Sequence, residues 1–259
     1  MKSFFNLAIA LLIAFILAPI FIVILVSFGA REIPEFPPTS WSLRWYGFAL
    51  SQPIFVTSAL NSAWVALTAT LISTPIALGA AMAIVRGNFP GKNILQAALL
   101  SPLFVPAIVT SLALLLASSS VGMRGVSTRL VAAHVLITLP YLVRTILASL
   151  MRFDLTVEEA ARTLGASPVR TFLHITLPLI RPGLTAGMLF ALIISFDNVS
   201  VSLFLTTART NTLPLAILSY VEYNFDPSIA AISTMLIAAT AMAAVLMERT
   251  VGLRSVVGT

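Results

Sequence analysis

Few side chains in this sequence have the types and spacing that bond-making chemistry requires. There is no Cys, and the two histidines stand far apart at His134 and His174. Thiolate ligation and a compact histidine metal site are therefore excluded. The turn Arg86-Gly-Asn-Phe-Pro-Gly-Lys92 superficially resembles a phosphate loop. A true one needs four residues between its glycines and Ser or Thr after the Lys; here three intervene and Asn93 follows. No GxSxG, HExxH or paired-aspartate pattern occurs. Two sets of reactive groups remain. Asp197 lies in the apolar run Leu184–Leu205, flanked by Ser195, Asn198 and Ser200. Glu158 and Glu159 lie in the polar stretch 154–182. These are groups for recognition and electrostatic contact, so the chain is expected to carry no catalytic residue and not to be an enzyme.

The elements that position them follow from composition. Of 259 residues, 59% are hydrophobic and 9% charged, against roughly 25% charged in a soluble domain. The expected fold class is all-α, a polytopic membrane helix bundle. Six apolar runs are long enough to cross about 30 Å of hydrocarbon: Phe4–Phe28, Ala59–Val85, Ile94–Ala117, Leu130–Leu150, Leu184–Leu205 and Ser228–Met247. The first is too long for the core of a cleaved signal peptide and reads as a retained span. Prolines at 102 and 106 are ordinary kinks or flexing points. His134 reads as a packed, hydrogen-bonded polar residue, with a proton relay as the alternative. Nearly the whole length is used by spans, so residues 1–259 are expected to form a single transmembrane domain.

An aspartate inside a span is costly and points to function by default. At about 1.5 Å per residue, Asp197 lies roughly 20 Å from the inner end of its span. Two readings stay open: it lines a solute path with Ser195, Asn198 and Ser200, or it pairs with a neighbouring helix or a partner subunit. Outside the spans, Trp41-Ser-Leu-Arg-Trp-Tyr46 suits a short interfacial helix. The last outer loop, 206–227, carries Tyr220, Glu222, Tyr223 and Asp226 at the outer mouth. Orientation follows from charge. With the N-terminus inside, ten of the fifteen Lys and Arg fall on inner segments and five on outer ones, which favours cytoplasmic N- and C-termini. The net charge of +6 is then a flank effect, and no nucleic-acid partner is expected.

The stretch 154–182 falls on the inner side. Thr156 and Glu159 have capping-box spacing. Gly165 suits a left-handed helix end. Ser167 followed by Pro168 suits the start of a second helix. That helix is expected to stop or kink at Pro178 and again near Pro182. Glu158 and Glu159 against Arg162 and Arg170 give mixed charge, unlike the basic stripe of a helix-turn-helix that reads DNA.

The pattern Glu159-Ala160-Ala161, three residues, Gly165, nine residues, Ile175, one residue, Leu177-Pro178 resembles the EAA loop of binding-protein-dependent ABC-importer permeases. The resemblance implies the type I permease fold with six transmembrane helices in the bacterial inner membrane. It implies that the loop, about 151–182, is a coupling helix docking on a separate ABC ATPase dimer through Glu158, Glu159, Ala160, Ala161, Arg162, Gly165, Ala166 and Pro168. ATP and Mg would be bound by those ATPase subunits, with no cofactor in this chain. A second permease subunit and an extracytoplasmic substrate-binding protein are the other implied partners, besides membrane lipid. Within the family, Trp-Ser-Leu-Arg-Trp-Tyr, Ser195-Phe-Asp197 and Asn211-Thr-Leu-Pro-Leu-Ala-Ile-Leu-Ser-Tyr-Val look most like the spermidine/putrescine permeases, which commonly show a second acid where Asn198 stands. A small cation such as a polyamine is thus the expected solute. Alternatives are the same architecture serving phosphonate, an iron chelate, sulfate or an amino-acid-like solute, or an ion-driven secondary transporter.

Overall fold

The computed structural model describes residues 2–152, 154–207 and 210–251. Arg209 and Arg254, counted above among the outer and inner charges, lie outside them. Among the described residues the structure is helical, with one isolated antiparallel bridge between Gly29 and Trp41. The chain divides into two compact units, Met1–Ser58 with Ala216–Met242, and Ala59–Leu215 with Ala243–Thr259.

The first unit opens with α1 (Lys2–Ser27), which is apolar on every side and exposes rings such as Phe4 and Phe15, each 79% accessible. Such an all-round apolar helix suits lipid or another membrane helix. Its end is tied by polar groups: Ser27 Oγ and Tyr46 Oη are 2.6 Å apart, and the Ser42 N–H donates to the Phe28 carbonyl at 2.7 Å. The Phe28 ring packs at 5.4 Å from Tyr46 and 6.4 Å from Trp41. The expected interfacial helix is α2 (Arg44–Ser51), beginning inside the aromatic segment, with Arg44 4.6 Å above the Trp45 ring. The same unit holds most of α12 (Ser228–Val251), the expected sixth span.

The second unit is built around α6 (Val126–Met151), the expected fourth span and the most buried one. Its residues Leu142, Val143, Ile146, Leu147 and Leu150 pack with Ala77, Ala81 and Ile84 of α3 (Pro53–Arg86), and with Ile180 and Ala191 of α9 (Leu177–Phe196). Close approach of α6 and α9 depends on Gly183 and Gly187. A Cβ there would sit 1.8 Å from Ser149 Oγ and 2.2 Å from Thr145 Oγ1. Small residues four apart are the usual means by which membrane helices approach closely. Polar pairs also link these helices: the hydroxyls of Ser73 and Thr138 at 3.1 Å, and His134 Nδ1 with Ser195 Oγ at 2.8 Å. His134 is thus the packed, hydrogen-bonded histidine expected of it.

Three expectations are corrected. The third span is not one rod: α4 (Lys92–Leu100) continues through a 3₁₀ turn to Leu103, then breaks by 108° before α5 (Ala107–Ser120). Pro106 is extended, with ψ 132°, and a residue before proline is pushed out of helical geometry. The fifth span starts earlier and ends sooner than 184–205. It runs continuously from Pro168 to Phe196 as α8 (Pro168–Thr171), a π-helical turn (Phe172–Thr176) and α9. Pro178 does not stop it, because the wide turn encloses His174, the residue whose carbonyl the proline ring would otherwise strike. Loop 206–227 is also not plain loop: it contains α11 (Leu213–Val221). Among the described residues five helices are long and apolar enough to span, and the bent pair makes six when taken as one span.

Candidate functional site

The loop between α6 and α9 is a helical corner. Its first arm is α7 (Thr156–Thr163). The expected capping box does not form. Thr156 is already inside the helix, and the Asp154 carboxylate accepts from the Thr156 N–H at 3.0 Å instead. That bond, with a second from the Thr156 side chain, holds the Asp154 carboxyl below its ordinary range. The displaced Glu159 carboxylate is exposed and has no hydrogen bond within the chain among the described residues. It sits in the first turn, where the helix dipole favours an anion.

The corner itself follows from Gly165, at φ +88°. The Gly165 N–H donates to the Arg162 carbonyl at 2.9 Å, and the Ala166 N–H to the Ala161 carbonyl at 3.0 Å. This pair of bonds is a Schellman motif, which needs a left-handed residue at this position. Ser167 then caps the second arm, its Oγ accepting from the Arg170 N–H at 3.4 Å, with Pro168 in the first position. Ala160, Arg162 and Pro168 are exposed, and Ala161 and Ala166 half-buried.

Glu158 goes the other way. It is 4% exposed, and its carboxylate forms an ion pair with Arg86 at the end of α3. Thr176, in the π-helical turn, donates to the same Oε1 at 2.5 Å, and Arg86 Nη2 also reaches Thr176 Oγ1 at 3.4 Å. Sequence reasoning passes over Arg86 and Thr176. The signal was there: an arginine ending one long apolar run and an acid opening a short polar helix, assigned to one side. The 72-residue separation hides their pairing. It also passes over the exposed apolar side chains Leu164 (89%), Val169 (68%) and Val157 (45%), which surround the corner.

The residues around Asp197 are split by a helix break. Asp197 ends α9 and Asn198 opens α10 (Val199–Leu205), accepting from the Val201 N–H at 2.8 Å. Asp197 is exposed; its carboxylate has no hydrogen bond or ion pair among the described residues. Ser195 is buried against His134, and Ser200 lies half-buried in α10. Asn198 also lines a cavity of about 200 Å³ with Tyr141, Thr110 and Val105, where the break after α9 meets the bend before α5. In the first unit, Tyr220 donates to Asp226 at 2.8 Å, and Asp226 accepts from the Ser228 N–H at 2.9 Å, starting α12. Glu222 and Tyr223 are exposed. The structure thus joins Tyr220 to Asp226 and leaves the other two open.

The chain matches the model of the binding-protein-dependent transport system inner membrane component family over residues 73–251. The putrescine transport system permease protein PotI of Escherichia coli is 31% identical over 233 residues, covering 87% of this chain and 82% of that protein. The spermidine/putrescine transport system permease protein PotC of Haemophilus influenzae is 33% identical over 225 residues, covering 86% and 87%. In structure, a chain of a bacterial alginate ABC transporter, solved with its pentasaccharide-bound periplasmic protein, superposes with TM-score 0.73 over 96% of each chain at 16% identity. A chain of the MetNI methionine ABC transporter gives 0.62 over 76% of this chain and 94% of that one, again at 16%. The helical corner, the apolar spans and these relatives lead to one assignment: the chain belongs to the binding-protein-dependent transport system inner membrane components, as a permease.

Proposed function

We propose that this permease, acting as one domain over residues 1–259, couples ATP hydrolysis on separate ATPase subunits to solute import. The observation that carries this reading is the ordered corner at Gly165, which presents the unpaired Glu159 carboxylate beside exposed Leu164 and Val169. Exposed apolar side chains and a charged group on one corner suit a protein interface, with apolar contact at its core and the charge at its polar rim. Glu159 makes a charge-assisted contact with a basic group of the ATPase cleft. Ala160, Ala161, Arg162, Ala166 and Pro168 form the surrounding surface. ATP and Mg stay on the ATPase dimer. A second permease completes the pathway, and closing of the ATPases tilts the attached spans. The excess of inner Lys and Arg supports cytoplasmic N- and C-termini and a cytoplasmic corner.

The solute is a polyamine. The relatives named for putrescine and spermidine support this, as does the chain's own chemistry. Asp197 is open to meet a cation at the helix break, next in sequence to Asn198 and near Ser200, while Ser195 is held behind it on His134. Glu222 and Tyr223 stand open at the outer mouth beside Tyr220 and Asp226. The test is putrescine uptake into vesicles holding the permease pair, the ATPase dimer and the binding protein. ATP-dependent uptake that Glu159→Ala abolishes, with the complex still assembled, supports the account. Uptake driven by an ion gradient without ATPase overturns it.

A further inference from the structure

The ion pair between Arg86 and Glu158 has no place in the docking surface just described, because Glu158 faces away from it. Its side chain is 5% exposed and that of Arg86 22%. The partners come from three elements. Arg86 ends the 34-residue helix α3, Glu158 lies in the first turn of α7, and Thr176 lies in the π-helical turn entering α9. Each charge suits its place: a cation at a helix C-terminus and an anion at a helix N-terminus. One carboxylate oxygen, Oε1, takes the guanidinium and the Thr176 hydroxyl together. Thr176 is fully buried. The node is therefore drier than a surface salt bridge, and breaking it leaves a buried charge without its partner.

Its placement gives it a use. Helix α7 is continuous in chain with α6 on one side and with α8 and α9 on the other, but α3 lies 72 residues away along the chain. Glu158 and Glu159 are adjacent on α7, about 100° apart around its axis. A push received on the Glu159 face therefore reaches the Glu158 face within the same helical turn. Resting on the importer reading, we propose that Arg86, Glu158 and Thr176 form an internal lock that makes the inner end of α3 move as one body with the coupling helix. Arg86 and Glu158 are positioning residues: they touch neither solute nor nucleotide. Through the lock the same stroke moves α3 as well as the two spans bonded to the loop.

The natural absence of Cys allows spin labels at Asn88→Cys and Thr163→Cys, both exposed, in the assembled complex with its ATPase. The expected result is one narrow distance distribution, unchanged between nucleotide-free and ATP–vanadate states. Glu158→Gln should broaden it and make it nucleotide-dependent, with putrescine moved per ATP hydrolysed falling about tenfold, inside the usual range for coupling between sites. The exchanged pair Arg86→Glu with Glu158→Arg remakes the ion pair but sets each charge against its helix dipole, so it should narrow the distribution and raise the transport ratio relative to Glu158→Gln without reaching the parent. That rescue separates a lock from general damage to folding. A distribution indifferent to Glu158→Gln overturns the lock, as does an exchanged pair that assembles with the ATPase but stays broad. Failure of the unaltered permease to co-purify with any ATPase would instead overturn the importer reading on which the lock rests.

Discussion

Glu158 and Glu159 are chemically identical neighbours with different surroundings: Glu158 is buried on Arg86, and Glu159 is left open because Asp154 takes the helix start. The same loop holds two positions whose backbone demands are sharper. Gly165 has open space where a Cβ would stand, so a substitution there meets no clash and acts through its φ of +88°. A left-handed backbone costs an ordinary residue about 1–2 kcal/mol. Gly165→Ala should therefore speed amide exchange at 164–166 and lower transport, while Gly165→Asn, which tolerates this region, retains more of both. Asp154 gives a pH dependence. Its carboxyl is held below the ordinary value of 3.8 by hydrogen bonds from Thr156. The ionised form thus stabilises the start of α7 fully above about pH 3.8, and that contribution is lost as pH falls through the lowered value. The protection factors of the α7 amides, which correct for the intrinsic pH dependence of exchange, should fall on acidification in the parent and lose that dependence in Asp154→Asn. The corner was legible in the sequence because Gly165, Ser167 and Pro168 act through local backbone rules. The cap was not, because Asp154 and Thr156 both offer a side-chain oxygen, and only the helix start decides between them.

Helices α6 and α9 show what the sequence hid at the next scale. Their length and apolar character are plain in the sequence, but where α9's span begins and ends is not. Prolines at 178 and 182 read as stops, yet a π-helical turn at Phe172–Thr176 lets the helix run on. At the other end, Asp197 and Asn198 break the helix inside a long, mostly apolar run, because Asn198 caps a new helix. The bend before α5 has a different cause, the backbone restriction around Pro106. These breaks put Asn198 and Tyr141 on one cavity, a grouping invisible in a linear reading. The Gly183 and Gly187 contact makes a separate forecast. Gly187→Leu must displace Thr145, whose Oγ1 lies 2.2 Å from the added Cβ. Overpacking of this kind costs about 1–3 kcal/mol. A lowered melting temperature of the purified permease in detergent is expected, and an unchanged one would mean that α6 and α9 separate freely.

For the molecule as a whole, family membership accounts for the composition, the spans and the missing ATP motif together. The sequence carries no phosphate loop, and under the proposed importer reading the exposed corner is where an ATPase partner delivers the driving force. The central claim is that this corner lies in the cytoplasm against an ATPase. The most direct test is Leu164→Cys in the naturally Cys-free chain, at a side chain 89% exposed. In assembled membranes the new thiol should react with an impermeant reagent only from the cytoplasmic face, and should cross-link to an ATPase subunit with a matching Cys in its cleft. Labelling from the outer face of intact cells, or no cross-link in a complex active for uptake, would contradict the account.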